Sequence, residues 1–179
     1  LIIDARAANE LFATPPHVQL PTPELTCALR ATPDSTFYVG KVDLSNYYHT
    51  LRLPDWLHPY FALPPVRASL VGLEQVHGSD TLIYPCCATL PMGWSHSVFL
   101  GQTVHEHFLD CSTEFLACDR VSHTSDDRLD RLRLQVYIDD VIFFAPTVEI
   151  ASAAQQHYVL KAESVGFVVS IDKLTLPSA

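Results

Sequence analysis

LQVYIDDVIFFA, running from Leu134 to Ala145, decides how the rest of the chain is read. Two apolar runs, LQVYI and VIFFA, meet through Asp139 and Asp140, which is the pattern of a tight hairpin with two carboxylates at its tip. Adjacent acids between hydrophobic strands repel each other unless a cation or hydrogen bonds offset them. A plain polar turn is the competing reading, and spacing alone does not separate the two.

A second apolar strand ends in an acid far upstream. FYVGKVDLS reads as a strand that terminates at Asp43, and a single sheet would bring that carboxylate beside the hairpin. Taken alone, Asp43 also reads as an ordinary strand-end acid. Carboxylates are the oxygen ligands that Mg²⁺ prefers, and the ion keeps most of its positions for water and phosphates. Two such ions, roughly 3.5–4 Å apart, stabilise both the attacking and the leaving oxygen of an in-line phosphoryl transfer.

Around these strands the pattern alternates. LIIDAR suggests a strand, the Pro-rich ATPPHVQLPTPE a loop, and Thr22-Pro23-Glu24 the start of a helix over about Pro23 to Arg30 that stops near Pro33. PYFAL and TLIYPCCATL are further β candidates, with Cys86 and Cys87 read as small apolar residues of a buried strand. WSHSVFLGQTVHEHFL has helical spacing through Trp94, Val98, Gly101, Val104 and Phe108. A second long helix follows Pro146 through Ile150, Ala154, Tyr158, Lys161 and Val165, ending at Gly166, and FVVSI supplies a last strand. The expected class is α+β, with an antiparallel sheet and helices packed on it.

At 179 residues, one compact domain is the natural count, and 48% hydrophobic with 17% charged residues is a globular composition. No apolar run approaches the roughly 20 residues that span a bilayer, so no membrane partner is expected. Five cysteines without paired metal spacing favour free thiols in a reducing, intracellular compartment, nucleus or cytoplasm. The net charge of −9 speaks against a protein that grips phosphate backbones over its whole surface, although much of the acid lies in HTSDDRLD and the candidate metal site. His105 and His107 do not read as zinc ligands, because neighbours two apart on a helix point about 200° apart.

The motifs resemble those of reverse transcriptases. YIDD at Tyr137–Asp140 matches the Tyr-x-Asp-Asp signature, VDLSNYYHTLRL resembles the motif of the first catalytic Asp, and LPMGWSHSVFLGQ resembles Leu-Pro-Gln-Gly-Trp. GFVVSIDK resembles the late palm motif ending in Lys173, and LIIDARAAN with VQLPTPE resembles the fingers segment, so the likeness runs from Leu1 to about Leu174. It implies a single reverse transcriptase domain over 1–179, a polymerase palm of about 36–54 and 91–179 with partial fingers of about 1–35 and 55–90. Thumb, connection and ribonuclease H regions would belong to a longer parent polypeptide, from a eukaryotic retroelement such as a retrotransposon.

By this resemblance the cofactor is a pair of Mg²⁺ ions, with Mn²⁺ as a substitute, held by Asp43, Asp139 and Asp140, the last more loosely. The partners are a primer–template duplex with an RNA template, and dNTPs. Tyr48 becomes a steric gate against the 2′-hydroxyl, a core aromatic being its other reading. Asn46, Met92 and Gly93 fall at nucleotide-binding positions, Gly93 because no Cβ blocks the approach. Trp94 reads as a buried anchor. Lys173 would meet the pyrophosphate leaving group or remain a solvated lysine, and Arg6 would contact template or merely pair with Asp4.

Met92 departs from the family's usual Gln, and an inserted acidic loop near 119–130 precedes YIDD. The function implied is RNA-directed DNA polymerisation, a nucleotidyl transfer. An inactive reverse-transcriptase-like scaffold is the alternative, with loss of the catalytic acids as its mark. Another palm enzyme, such as a nucleotidyl cyclase, leaves LPMGW, VQLPTP and GFVVSIDK unexplained.

Overall fold

The computed structural model describes residues 3–31, 36–122 and 128–179. In chain order its elements are α1 (Arg6–Asn9), α2 (Pro23–Ala28), β1 (Tyr38–Asp43), α3 (Tyr47–Thr50), a 3₁₀ stretch (Asp55–Phe61), β2 (Val66–Arg67), a 3₁₀ turn (Ala68–Val71), α4 (Glu74–His77) and β3 (Leu82–Ile83). There follow α5 (Ser97–Ser112), a 3₁₀ turn (Ala117–Asp119), β4 (Arg133–Tyr137), β5 (Asp140–Ala145), α6 (Val148–Ser164), a 3₁₀ turn (Ile171–Lys173) and β6 (Thr175–Ser178). This mixture of helices and antiparallel sheet is the α+β class expected. The chain divides into two compact units, Leu1–Pro15 with Tyr48–Ser97, and Pro16–Tyr47 with Val98–Ala179.

The second unit is built on a four-stranded sheet in the order β4-β5-β1-β6. β4 and β5 form the expected hairpin, and β5 runs antiparallel to β1 in a register that sets Val42 against Val141 and Asp43 against Asp140. Val42, Leu134, Val141, Phe143 and Ala145 are buried, and α6 covers the sheet with Ala151, Ala154, Gln155, Tyr158 and Ala162. Each large apolar side chain buried this way contributes about 1.5–3 kcal/mol. α6 starts where Thr147 accepts a hydrogen bond from the Ile150 amide and ends before Gly166, whose φ of +92° is the backbone a glycine terminator supplies.

The structure departs from the sequence pattern in several places. The described part of LIIDAR is not a strand: Asp4 Oδ1 accepts from the Arg6 amide, a local turn that launches α1 instead. Only Ala62 of PYFAL makes a β contact, an isolated antiparallel bridge to Cys86; Pro59–Phe61 close a 3₁₀ stretch, because Pro59 cannot donate to a ladder and the Leu57 amide bonds Pro54 one turn back. Thr22 precedes α2 without a side-chain cap. TLIYPCCATL yields only the two residues of β3 and isolated bridges, and Cys86 is exposed, not buried.

α5 begins three residues after Trp94 and packs through Gly101, Gln102, His105, Phe108 and Leu109, leaving Val98 and Val104 turned outward. The polar Gln102 and His105 displace the valines from the interior because the hairpin turn offers them hydrogen bonds. FVVSI bridges β1 only at its end, and the fourth strand forms later as β6. Pro177 fits there because β6 is an edge strand. Of the expected stripe, Ile150 on α6 and Val165 just past its end are exposed. Leu1–Ile2, Pro33 and residues 123–127 of the acidic loop lie outside the described residues.

Candidate active site on the β1–β5 edge

The acids converge because of strand register. Asp43 ends β1, Asp140 opens β5 directly opposite it, and Asp139 occupies the two-residue turn between Tyr137 and Asp140. The Leu44 amide donates to the Asp139 carbonyl at 2.9 Å, stitching the end of β1 to that turn. The hairpin tip is therefore Ile138–Asp139, and Asp140 is already a strand residue.

Like charges directly opposite in a sheet destabilise it, and each acid here has a cation. Lys173 Nζ donates to Asp43 Oδ1 at 2.9 Å, and Lys41 Nζ lies 2.9 Å from Asp140 Oδ2. Asp43 is buried, and its partnership with Lys173 raises that lysine's pKa. Asp139 has its pKa raised, first by burial and then by the charges of Asp140 and Asp43. Lys41 stands two residues before Asp43, hence on the same face of β1, a spacing already legible in the sequence.

Among the described residues no three His, Cys, Asp or Glu side chains converge as a ready-made metal group, so the expected trio is not preassembled as a cage. The donors nonetheless fit a divalent cation. Asp140 Oδ1 is buried with no hydrogen-bond partner, and Asp139, its pKa raised by burial and by the neighbouring carboxylates, is a ligand whose ionised form a bound cation would favour.

The turn itself is strained. Ile138 has φ +56°, a region that β-branched residues rarely enter. Two polar side chains of α5, whose partners in the turn are remote in the sequence, hold it there. Gln102 Oε1 accepts from the Ile138 amide at 2.7 Å while its Nε2 donates to the Val136 carbonyl at 3.1 Å, and His105 Nδ1 lies 2.6 Å from the Ile138 carbonyl. Burial lowers the His105 pKa to about 4, so the ring is neutral. His107, by contrast, is exposed on α5, as the helical argument against a shared zinc required.

The adjacent tyrosines separate. Tyr47 is buried and donates to the Gly101 carbonyl at 2.8 Å, whereas Tyr48 is half-buried. Asn46 occupies an exposed turn at φ +52°.

The remaining candidates lie in the first unit. Gly93 has φ +116°, and a Cβ there would collide with the Ile3 carbonyl oxygen, so the chain's own backbone already demands glycine. The Ile3 amide donates to the Met92 carbonyl at 3.2 Å. Asn9 clamps the same loop, its Nδ2 donating to the Gly93 carbonyl at 3.0 Å and its Oδ1 accepting from the Ser95 amide at 2.8 Å. Trp94 is buried against Phe12 and Phe61. Arg6 pairs with Asp4 at 2.6 Å and draws that carboxyl down to about 2.

Residues 1–178 match the family model for reverse transcriptase (RNA-dependent DNA polymerase). This chain belongs to the reverse transcriptase family. Among solved structures it is similar to the foamy viral protease-reverse transcriptase dRH in complex with ds DNA, with a TM-score of 0.66 at 16% sequence identity. The likeness covers 98% of this chain and 24% of the viral one, so it is a likeness of fold over about a quarter of that protein. No curated protein matches. As a reverse transcriptase domain the chain is of the nucleotidyltransferase kind. Among the described residues no helix is long and apolar enough to cross a membrane.

Proposed function

We propose that this domain catalyses RNA-templated addition of dNTPs to a primer 3′-hydroxyl, with Asp43 and Asp139 holding two divalent cations, Mg²⁺ or Mn²⁺. The observation that carries the reading is the register of β1 on β5, which sets Asp43 opposite Asp140 with Asp139 in the adjoining turn. When bound, the cations would stabilise the charge that develops on the attacking and leaving oxygens. The protein's own part is to aim the carboxylates and to balance them. Asp140, paired with Lys41, supports the site from one side. Lys173, now on Asp43, is the cation nearest to hand for the pyrophosphate, as a charge partner or proton donor.

Tyr48 acts in this reading as the gate against ribonucleotides, and Asn46, Met92 and Gly93 flank the nucleotide, while Arg6 reaches template by leaving Asp4. A primer–template duplex is the partner, in keeping with the nucleic acid bound by the foamy viral relative. Partial fingers (about 1–35 and 55–90) and palm (about 36–54 and 91–179) are the proposed division, with thumb, connection and ribonuclease H functions supplied by other parts of the parent polypeptide.

Primer extension on an RNA template with Mg²⁺, comparing the polypeptide that carries this chain with its Asp139→Asn variant, tests the reading. Extension that disappears in the variant supports it. Folded protein that extends nothing with either cation would leave the inactive scaffold as the better account.

A further inference from the structure

α5 and α6 meet behind the strained turn, and their contact is polar where the surroundings are apolar. His105 is fully buried, with Nδ1 2.6 Å from the Ile138 carbonyl and Nε2 2.7 Å from the Tyr158 hydroxyl. Tyr158 is itself fully buried, packed between Phe108 and Phe143. The proton positions follow from the partners. A carbonyl only accepts, so Nδ1 carries the hydrogen. The ring is neutral, so Nε2 is bare and accepts from the Tyr158 O–H.

The Ile138 carbonyl and the Asp139 amide belong to one peptide plane, which is rigid. Fixing that oxygen therefore fixes the plane from which Asp139 departs and so restricts where its carboxylate can reach. Without such a hold, a β-branched residue at φ +56° would relax towards negative φ and swing the plane with it. Gln102 grips the amide on the other side of Ile138 and the Val136 carbonyl, not the Ile138 carbonyl.

We propose that His105 and Tyr158 are positioning residues, a two-hydrogen-bond relay from α6 through α5 that fixes the Ile138 carbonyl and so aims Asp139 at its cation. The inference rests on the polymerase reading of the site, since it assigns Asp139 the metal. Neither residue touches substrate or metal; both act through Ile138.

Three measurements on the protein test it. Nitrogen-15 NMR of the His105 ring reads the tautomer directly, and the hydrogen is expected on Nδ1; a hydrogen on Nε2, or a doubly protonated ring at neutral pH, overturns the relay. Mn²⁺ titration, followed by broadening of the Asp139 amide, should show affinity roughly 10- to 100-fold weaker in His105→Leu, the range seen when groups supporting a metal ligand are removed. His105→Asn, whose amide can replace Nδ1–H, should restore most of it. In primer extension the same variants should lose kcat in that order, with KM for dNTP little changed.

Wild-type Mn²⁺ affinity in folded His105→Leu would refute the proposal even where extension proceeds normally. A wild-type protein that extends no primer, yet loses Mn²⁺ in His105→Leu and regains it in His105→Asn, would refute the polymerase reading and leave the relay standing. Should His105→Leu fail to fold, Tyr158→Phe, which keeps the ring and removes one O–H, carries the same comparison; affinity and kcat equal to wild type would then overturn the relay.

Discussion

Acidification should destabilise this domain through His105, by an amount the structure sets. The buried ring has a pKa of about 4 against 6.5 for an ordinary histidine. Below pH 6.5 the unfolded chain takes up a proton at this position that the native fold refuses until about pH 4. In that window the unfolded state binds more protons, so stability rises with pH. The contribution is complete above pH 6.5, falls by about 2 kcal/mol at about pH 5, and by about 3 kcal/mol at about pH 4. His105→Asn keeps a donor for Ile138 and cannot titrate. Its own cost is therefore a constant offset, and the pH-dependent part disappears. Urea denaturation of both proteins at several pH values between neutral and about pH 4 reads the difference: the wild type should lose its advantage steadily as pH falls. Parallel stability curves for the two proteins would show that His105 does not stay neutral in the fold, and would sink the reasoning.

Other outcomes are open to simple measurement. Gly93→Ala should cost at least about 2 kcal/mol in denaturant unfolding, because a positive φ and a collision with the Ile3 carbonyl act together; an unchanged midpoint would mean that Ile3 readily moves aside. Thr147→Ala removes the side-chain cap on the Ile150 amide and should lower stability by about 1 kcal/mol, read by thermal melting. Tyr48→Val should raise ribonucleotide incorporation relative to dNTP use in primer extension; equal discrimination by the variant would assign the half-buried ring to packing alone. Together with the loss of extension in Asp139→Asn, these separate the chemistry of the site from the stability of its frame.

Strand-forming runs and the acids at their ends were written in the local pattern. FYVGKVD and LQVYIDDVIFFA form β1 and the β4–β5 hairpin because runs of apolar, β-branched and aromatic residues favour a pleated sheet whatever lies around them. The long helices were legible for a similar reason, since their period and terminators are local. Placement of Asp43 beside Asp140 was foreseeable only as a possibility of one shared sheet; the register that achieves it belongs to β1 on β5, strands that meet across a long intervening chain.

What the tertiary structure alone decided was polar and directional. Gln102 and His105 look misplaced on a core helix face until the Ile138 turn is set against them, because a buried donor is explained only by its acceptor. LIIDAR and FVVSI are apolar enough for strands, but the described part of the first became a turn with α1 and the second an irregular bridge. A ladder needs a partner with free backbone groups along its length, and that is a property of the neighbour, not of the segment. Gly93 was expected to make room for a nucleotide; the nearest atom is the chain's own Ile3 carbonyl, which no spacing along the sequence could reveal. Local sequence determined which residues carry charge and which prefer strand or helix. Three-dimensional packing determined which charges meet, which cations balance them and which buried bonds hold the strained turn, because those energies depend on distances between residues remote in the chain.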